Sequence, residues 1–280
     1  MQQVICDHIL KWVEDNLTSE LNVSDMAAST GYNRRTLELW FSAQFGMSPG
    51  KYLYSRRMTR AAVLLKMTRL PITEIALLLH YSSNQNFARS FRRFFGISPT
   101  DCRKNKNWNL SGLQASLYHS KETILDVTVC ILPVRYLQGQ SCTCEDSYLY
   151  NMNKLLTDYI KQEVIDLTKS GAQDIYLSGN FLISHNIKDS RGGNIVSTVT
   201  VGKLVNNIEE NTIIMPGGKF CRYFFSCKWE EYSNYTNKSF IRLISENNLF
   251  YSGDDCYVHF TGTQENIENQ INCEVFIPIS

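Results

Sequence analysis

The chain has 280 residues, of which 43% are hydrophobic and 20% charged, and a formal net charge of +1 at pH 7. This length is comfortable for two domains, and the absence of any run of about 18 apolar residues excludes a membrane span. The small net charge conceals a split, because residues 1–108 carry 15 Lys and Arg against 8 Asp and Glu, whereas residues 109–280 carry 13 against 19. A nucleic acid partner suits the basic first part and does not suit the acidic second part.

Nine cysteines are scattered along the chain without a Cys-x-x-Cys pair. The close pair Cys142 and Cys144 could bind a soft metal or sense an oxidant, or the cysteines are simply free thiols in a reducing cytosol. The N-terminus has no basic start and carries an early acidic residue, Asp7, so no signal peptide is expected. We therefore predict a cytoplasmic protein without cofactor or metal.

The first 50 residues predict three helices. Apolar residues at helical spacing from Ile5 to Leu17 indicate an amphipathic helix. Ser24 is the expected N-cap of a short second helix, which ends at a turn residue, Gly31. The third helix begins after Asn33, a capping residue, and runs to about Phe45 before the stop at Gly46.

The same pattern occurs twice, over 23–49 and 72–99. Each copy ends in Gly-x-Ser-Pro, at Gly46 and Gly96, and predicts a short helix, a turn, a longer helix and a stop. His80 stands in the second copy where Gly31 stands in the first. The chain therefore predicts two helix-turn-helix units, joined by a long helix from Pro49 to about Met67.

The second part of the chain reads as an α+β domain, 122–280, after a linker, 109–121. Apolar alternation and helical spacing predict this order of elements: strand 124–132, helix 148–168, strands 175–184, 194–204 and 219–227, helix 230–247, and strands 256–260 and 272–279. The expected organisation is a duplicated β-α-β-β.

Two helix-turn-helix units on one chain could place a helix in each of two successive major grooves, with about 34 Å between the two insertion points. Base reading needs side chains that project away from the Phe, Leu and Trp stripe of each second helix. The candidates are Arg34, Arg35, Glu38, Leu39 and Ser42 in the first copy, and Asn84, Gln85, Arg89 and Arg92 in the second. Arg can grip guanine and Asn or Gln can grip adenine by paired hydrogen bonds.

Other basic residues suit phosphates, which supply affinity and salt dependence rather than sequence choice. We predict this role for Lys51, Arg56 and Arg57. Two base-reading candidates stay open: Glu38 can accept from a cytosine amine or repel a phosphate, and Leu39 can meet a thymine methyl group or pack on a neighbouring protein.

Residues 1–108 resemble the DNA-binding domain of the AraC/XylS family, and within it the MarA–SoxS–Rob group. The residues that carry the resemblance are Ser48-Pro49, Tyr52-Leu53, Arg56-Arg57-Met58, Ile75-Ala76, Tyr81, Phe87, Arg89, Phe91-Arg92 and Gly96-Ile-Ser-Pro99. Leu39 stands where the group usually has Arg, and Arg35 where it has Trp. The resemblance implies an all-α domain that binds double-stranded promoter DNA as a monomer and contacts RNA polymerase.

Glu274 is the notable charged residue of the second part. It lies in an apolar strand and shares a face with Asn272 and Phe276. A carboxylate beside aromatic rings would suit a cationic or amphipathic ligand. The alternative is a glutamate at a solvated sheet edge.

Residues 120–280 resemble the GyrI-like small-molecule-binding domain. The resemblance is carried by Met215-Pro-Gly217-Gly218, Asp255-x-Tyr257 and Cys273-Glu274-x-x-Ile277-Pro278-Ile279. It implies a cleft for a small apolar or amphipathic effector, faced by Glu274. The aromatic residues chosen as candidate walls are Tyr176, Tyr223, Trp229 and Tyr257.

The sequence thus predicts a transcriptional regulator, an activator by resemblance, whose second domain senses a small molecule. Two alternatives concern that domain alone. It could be a protein-interaction module, or it could hydrolyse a small electrophile with Glu274 as a base. We expect no enzyme activity.

Overall fold

A computed structural model describes residues 2–68, 70–105, 112–118, 125–147, 154–180, 194–247, 249–261 and 267–280. The chain divides into two compact units, one built mainly on Met1–Asn105 and Leu110–Lys121 and the other mainly on Glu122–Ile244 and Leu249–Ser280. The first unit is helical, and the second is a sheet with helices. Among the described residues, no helix combines the length and apolar character that crossing a membrane requires.

The helical unit contains the predicted duplicate. Its helices are α1 (Gln2–Asp15), α2 (Val23–Thr30), α3 (Arg34–Phe45), α4 (Pro49–Met67), α5 (Ile72–Leu78), α6 (Asn84–Phe95) and α7 (Pro99–Lys104). The core of the first copy includes Ile9, Val13, Leu37, Phe41 and Tyr52, all fully buried. The same stripe in the second copy is Phe87, Phe91 and Phe95.

One predicted cap lies two residues from its expected place. Asn22, not Ser24, is the N-cap of α2, and its side chain accepts a hydrogen bond from the Ser24 amide at 2.8 Å. Asp25 closes the box by accepting from the Asn22 amide at 2.7 Å. Both Asn and Ser are favourable N-cap residues. Asn22 is preferred because Asp25 then lies at the third helical position, from which it can complete a capping box.

Part of the predicted linker packs on the helical unit. Leu117 and Tyr118 lie against the core of the first copy. The Gln114 amide donates to the Thr59 hydroxyl at 2.8 Å, and the Leu117 amide donates to the Tyr52 hydroxyl at 2.9 Å. This segment is therefore fastened to α4 by backbone hydrogen bonds.

The sheet unit holds more strands than the sequence predicts. Its strands are β1 (Leu125–Leu132), β2 (Arg135–Ser147), β3 (Ile175–Asn180), β4 (Asn194–Val205), β5 (Thr212–Met215), β6 (Gly218–Cys227), β7 (Cys256–Thr261) and β8 (Ile271–Pro278). Its helices are α8 (Lys154–Lys169) and α9 (Tyr232–Glu246), with a short 3-10 helix at Trp229–Glu231.

The strands form one antiparallel sheet in the order β1-β6-β8-β7-β3-β4-β2-β5. Each half of the unit runs β-β-α-β-β, so the predicted duplicated β-α-β-β is wrong by one strand per half. The first strand of each half pairs with a strand of the other half, since β1 joins β6 and β5 joins β2. The two halves meet at the central β3–β7 pair, and each edge strand of the sheet pairs with a strand of the other half.

A pair of glycines brings β2 and β4 close together. Gly139 and Gly202 are direct partners in the ladder. A Cβ atom at Gly139 would lie 2.0 Å from the Val201 carbonyl oxygen, and one at Gly202 would lie 2.1 Å from the Gln138 carbonyl oxygen. No side chain fits at either position, so this close approach requires glycine.

Candidate nucleic-acid interface and charged sheet cluster

The turns of the two helix-turn-helix units have the same backbone conformation. Gly31 has φ 72° and His80 has φ 57°, both in the left-handed region. A non-glycine residue pays a conformational cost there. His80 is held in place by its ring, whose Nε2 lies 2.9 Å from the Thr18 carbonyl oxygen and whose Nδ1 lies 3.3 Å from Glu20 Oε1.

The second helices of the two units, α3 and α6, begin and end in the same way. Asn33 accepts from the Thr36 amide at 2.9 Å, and Ser83 accepts from the Asn86 amide at 3.1 Å. Left-handed glycines follow the last turns, Gly46 with φ 68° and Gly96 with φ 76°. Both caps satisfy orphan backbone groups, so each helix presents a fixed outer face.

The outer face of α3 combines an ion pair with an exposed apolar side chain. Arg34 Nε lies 2.7 Å from Glu38 Oε1, one helical turn further on. Arg35 is exposed, Ser42 is half-buried, and Leu39 has 63% of its surface exposed. A free leucine on an otherwise polar face is available for apolar contact.

The outer face of α6 is more basic. Asn84, Gln85, Arg89 and Arg92 are all exposed, and Arg93 beside them is exposed as well. Arg89 and Arg92 occupy the places of Leu39 and Ser42 in the first copy. The two faces therefore share a scaffold and differ in charge along the second half of the helix.

Two predicted phosphate contacts on α4 have another role. Arg56 donates to both carboxylate oxygens of Glu14, and Nη1 donates to the Gln114 carbonyl at 2.6 Å. Arg57 donates to the carbonyls of Leu17, Ser19 and Leu21, the last two at 2.7 and 2.8 Å. These donors tie the loop after α1 and the segment after α7 to α4, so a phosphate would have to compete with these contacts, and the phosphate role of Arg56 and Arg57 stays a prediction. Lys51 is exposed, as a phosphate contact requires.

Glu274 lies in a charged cluster on one face of the sheet. Its Oε2 is 3.2 Å from His259 Nδ1 and its Oε1 is 3.5 Å from Arg222 Nη1. Only 15% of the Glu274 side chain is exposed, so it is not at a solvated edge. The register explains the grouping, since β8 places Glu274 opposite His259 on β7 and Phe224 on β6.

Two of the four aromatic candidates share the face of Glu274. The Tyr176 ring stacks on His259 with 4.3 Å between centroids, and Arg135 Nη1 lies 3.3 Å from the Tyr176 hydroxyl. Tyr257 donates to the Pro216 carbonyl at 2.9 Å. Both rings join an apolar cluster with Phe220, Phe276, Leu137 and Met215. The face is thus aromatic around a charged centre.

The other two aromatic candidates lie elsewhere. Tyr223 is 1% exposed and alternates to the opposite face of β6. Trp229 is buried and donates from Nε1 to the Ile267 carbonyl at 2.7 Å. This contradicts the prediction that they line a wall beside Glu274. The position of a residue along its strand does not predict which face of the sheet its side chain shares with Glu274. That depends on the register of β6 against β8.

Comparison with known proteins assigns the helical unit. Residues 26–105 match the family described as a helix-turn-helix domain. The transcriptional activator AarP of Providencia stuartii is 39% identical over 99 residues, which is 35% of this chain and 73% of AarP. The chain belongs to the AraC/XylS family of helix-turn-helix transcriptional regulators.

Other relatives match more of the chain at lower identity. The F1 operon positive regulatory protein of Yersinia pestis is 26% identical over 287 positions, covering 100% of this chain and 89% of that protein. The transcriptional regulator Rob of Salmonella typhimurium is 31% identical over 148 residues, which is 51% of this chain and 51% of Rob. These matches place the chain among the Rob-like members of the AraC/XylS family.

Proposed function

We propose that this regulator binds promoter DNA as a monomer, with α3 and α6 in two successive major grooves. The observation that carries the proposal is the equivalence of the two units: Gly31 and His80 share a left-handed turn, and both second helices are capped and stopped alike. One chain then supplies what a dimer of single units supplies in other helix-turn-helix proteins.

The length and burial of the connecting helix α4 support this arrangement. Its 19 residues span about 28 Å at a rise of about 1.5 Å per residue. Successive major grooves on one DNA face are about 34 Å apart. α4 is buried along most of its length, which supports a constant separation of the two units.

The two outer faces are proposed to read DNA unequally. On α6, Gln85 suits adenine, and Arg89 and Arg92 suit guanine. On α3, Arg35 is free to read, whereas Arg34 is engaged by Glu38. The remaining proposed contacts are Asn84 on α6, Leu39 and Ser42 on α3, and Lys51 on α4. Each good bidentate pair gives about 1–3 kcal/mol of discrimination.

We further propose that residues 122–280 form a GyrI-like domain, joined through 109–121 to a DNA-binding domain of residues 1–108. Its effector is a small apolar or amphipathic molecule that contacts Glu274, Tyr176 and Tyr257. The support is a carboxylate with little exposure among aromatic side chains. The sheet domain as a protein-interaction module is the alternative.

Activation is proposed from the names of relatives. One is called a positive regulatory protein and another a transcriptional activator. An activator of this kind acts by touching RNA polymerase, which we propose as a second partner. The effector then acts by favouring one arrangement of the protein over another.

A titration of the full chain against promoter fragments tests DNA binding. With excess nonspecific competitor, we expect one specific complex containing one protein, which Arg89→Ala weakens. Lys11→Ala, which removes the same charge from an exposed position on α1, is the matched control and should leave affinity almost unchanged. No complex above competitor, or two proteins per fragment, would reject the proposal.

A further inference from the structure

Cys142 and Cys144 place two sulfur atoms side by side on β2. They are separated by one residue, and their Sγ atoms lie 3.4 Å apart. Their ladder partners on β4 are Val199 and Ser197, so both thiols project from one face. The Tyr159 hydroxyl of α8 donates to the Gln140 carbonyl at 3.0 Å, one strand repeat before Cys142.

The pair differs from most of the other cysteines in exposure. Both members are half-buried, and so is Cys130 on β1. The remaining six, Cys6, Cys102, Cys221, Cys227, Cys256 and Cys273, are buried. Burial raises the pKa of Cys102 and of Cys221 to about 11, which keeps those thiols protonated and poorly reactive.

The spacing of the pair disfavours a direct disulfide. Alternate residues of a strand have Cα atoms about 6.6–6.8 Å apart, at the upper end of the range that a disulfide spans. The sulfurs would have to approach from 3.4 Å to about 2.05 Å. β2 is paired with β4 from Tyr136 to Ser147, and this ladder opposes a contraction of the strand between the two cysteines.

A bridging atom needs no contraction. Two bonds of about 2.3 Å hold their sulfurs about 3.8 Å apart at a tetrahedral angle and about 3.4 Å apart at the smaller angle of about 95° of a pyramidal trivalent centre, which is the observed separation. Among the described residues, no group of three or more His, Cys, Asp or Glu could hold a metal ion. The pair therefore suits a soft centre that two sulfur ligands satisfy, not a four-coordinate ion held by the protein.

We propose that Cys142 and Cys144 form a dithiol site for a thiophilic centre of this kind, with monosubstituted trivalent arsenic as the ligand class. An arsonous acid carries one organic group and two hydroxyls. Each thiol forms one As–S bond as one As–O bond breaks, and each thiol proton leaves with a hydroxyl as water. The oxidation state of arsenic and sulfur does not change, so no oxidant is needed.

Phenylarsine oxide is the probe, added to the native full chain and followed by intact mass and by titration of free thiols. We expect one adduct per chain at low excess, with the loss of two thiols. A monothiol should not remove it, whereas a dithiol should. Cys142→Ser and Cys144→Ser should each weaken binding by about a hundredfold or more, since either change removes the second attachment.

Cys130→Ser is the matched control, because Cys130 is also half-buried, and it should leave binding unchanged. Far-UV circular dichroism of the serine variants verifies that they fold. The proposal is overturned if the adduct survives either single substitution with unchanged affinity, or if a monothiol displaces it completely from the native protein.

Discussion

Glu14 of α1 and Arg56 of α4 form a two-point ion pair, with Nη2–Oε2 at 2.7 Å and Nε–Oε1 at 2.8 Å. The Tyr52 hydroxyl donates to the same carboxylate at 3.1 Å. The pair joins the first helix to the helix that connects the two helix-turn-helix units. Only 13% of the Arg56 side chain and 21% of the Glu14 side chain are exposed.

Glu14→Gln should destabilise the helical unit by about 1–3 kcal/mol, because the Arg56 guanidinium is left without its charge partner. Burial alone would raise the pKa of Glu14, but the charge of Arg56 and the hydrogen bonds from Arg56, Ser116 and Tyr52 together lower it. A lowered pKa stabilises the folded state fully above the ordinary carboxyl value and loses this contribution as pH falls through the folded value.

Urea denaturation followed by circular dichroism tests this. The wild-type advantage over Glu14→Gln should be complete at pH 7 and should shrink below about pH 4.5. Asp15→Asn, at an exposed neighbouring position, is the control and should change the free energy of unfolding only slightly. An advantage that grows as pH falls would contradict the assignment.

Gly31→Ala should lower the free energy of unfolding by about 1–2 kcal/mol, because alanine is strained in the left-handed backbone conformation. A Cβ at Gly31 would meet no atom within 4 Å, so no steric clash contributes. Gly31→Asn should cost less, because asparagine tolerates the left-handed region. Thermal unfolding of both variants checks the prediction, and equal losses would show that another factor controls this turn.

Leu39→Arg should make DNA binding more salt-dependent, since a new cation on α3 would meet the phosphates or a guanine. The expected steepening of the slope of log affinity against log salt is about 0.9 per new phosphate contact. Val4→Arg, on an α1 side chain of 69% exposure, is the matched control. A slope changed equally by both variants would indicate general electrostatic attraction instead of a reading position. Site selection from random DNA then shows whether the preferred sequence changes.

Glu274→Gln should weaken an amphipathic cation such as rhodamine 6G by tenfold or more and leave the anionic dye 1-anilinonaphthalene-8-sulfonate unaffected or tighter. The reason is that the carboxylate supplies the negative charge among the aromatic rings of the face. Fluorescence titration of the full chain measures both probes. Tyr223→Phe, buried on the opposite face, should change neither affinity. Equal weakening of both dyes would exclude a charge role for Glu274.

The helical unit could be predicted because its signals are local. Gly31, Asn33 and Gly46 act through the backbone within one turn, and the same spacing recurs at Gly96. The N-cap was predicted at Ser24 instead of Asn22, because both residues are of the types that favour this position. Helix order and bounds therefore followed from short windows of sequence.

The sheet unit was harder because its strands depend on distant partners. The sequence of β2 is largely polar and contains Gly139, which weakens the strand pattern, although twelve residues of β2 pair with β4. The four-residue strand β5 is too short to show a period. Because β2 and β5 were not predicted, the predicted organisation has one strand too few in each half.

The sites were predicted in part for the same reason. Exposure on α3 and α6 follows from helical spacing, whereas the use of Arg56 by Glu14 joins residues 42 positions apart. His259 and Arg222 were not chosen, since only the register of β7, β8 and β6 brings them to Glu274. The signal that could have found them is that His259 and Arg222 are charged residues in neighbouring strands, at positions that can face Glu274 when the strands pair.

One chain is proposed to read two successive major grooves through two equivalent helices. Hydroxyl-radical footprinting of the complex, with the protein count set by native mass measurement, tests it most directly. We expect one protein per site and two protected segments on one DNA face, centred about 10–10.5 base pairs apart. Arg89→Ala should weaken protection of one segment more than the other. A single protected segment, or two proteins per site, would contradict the claim.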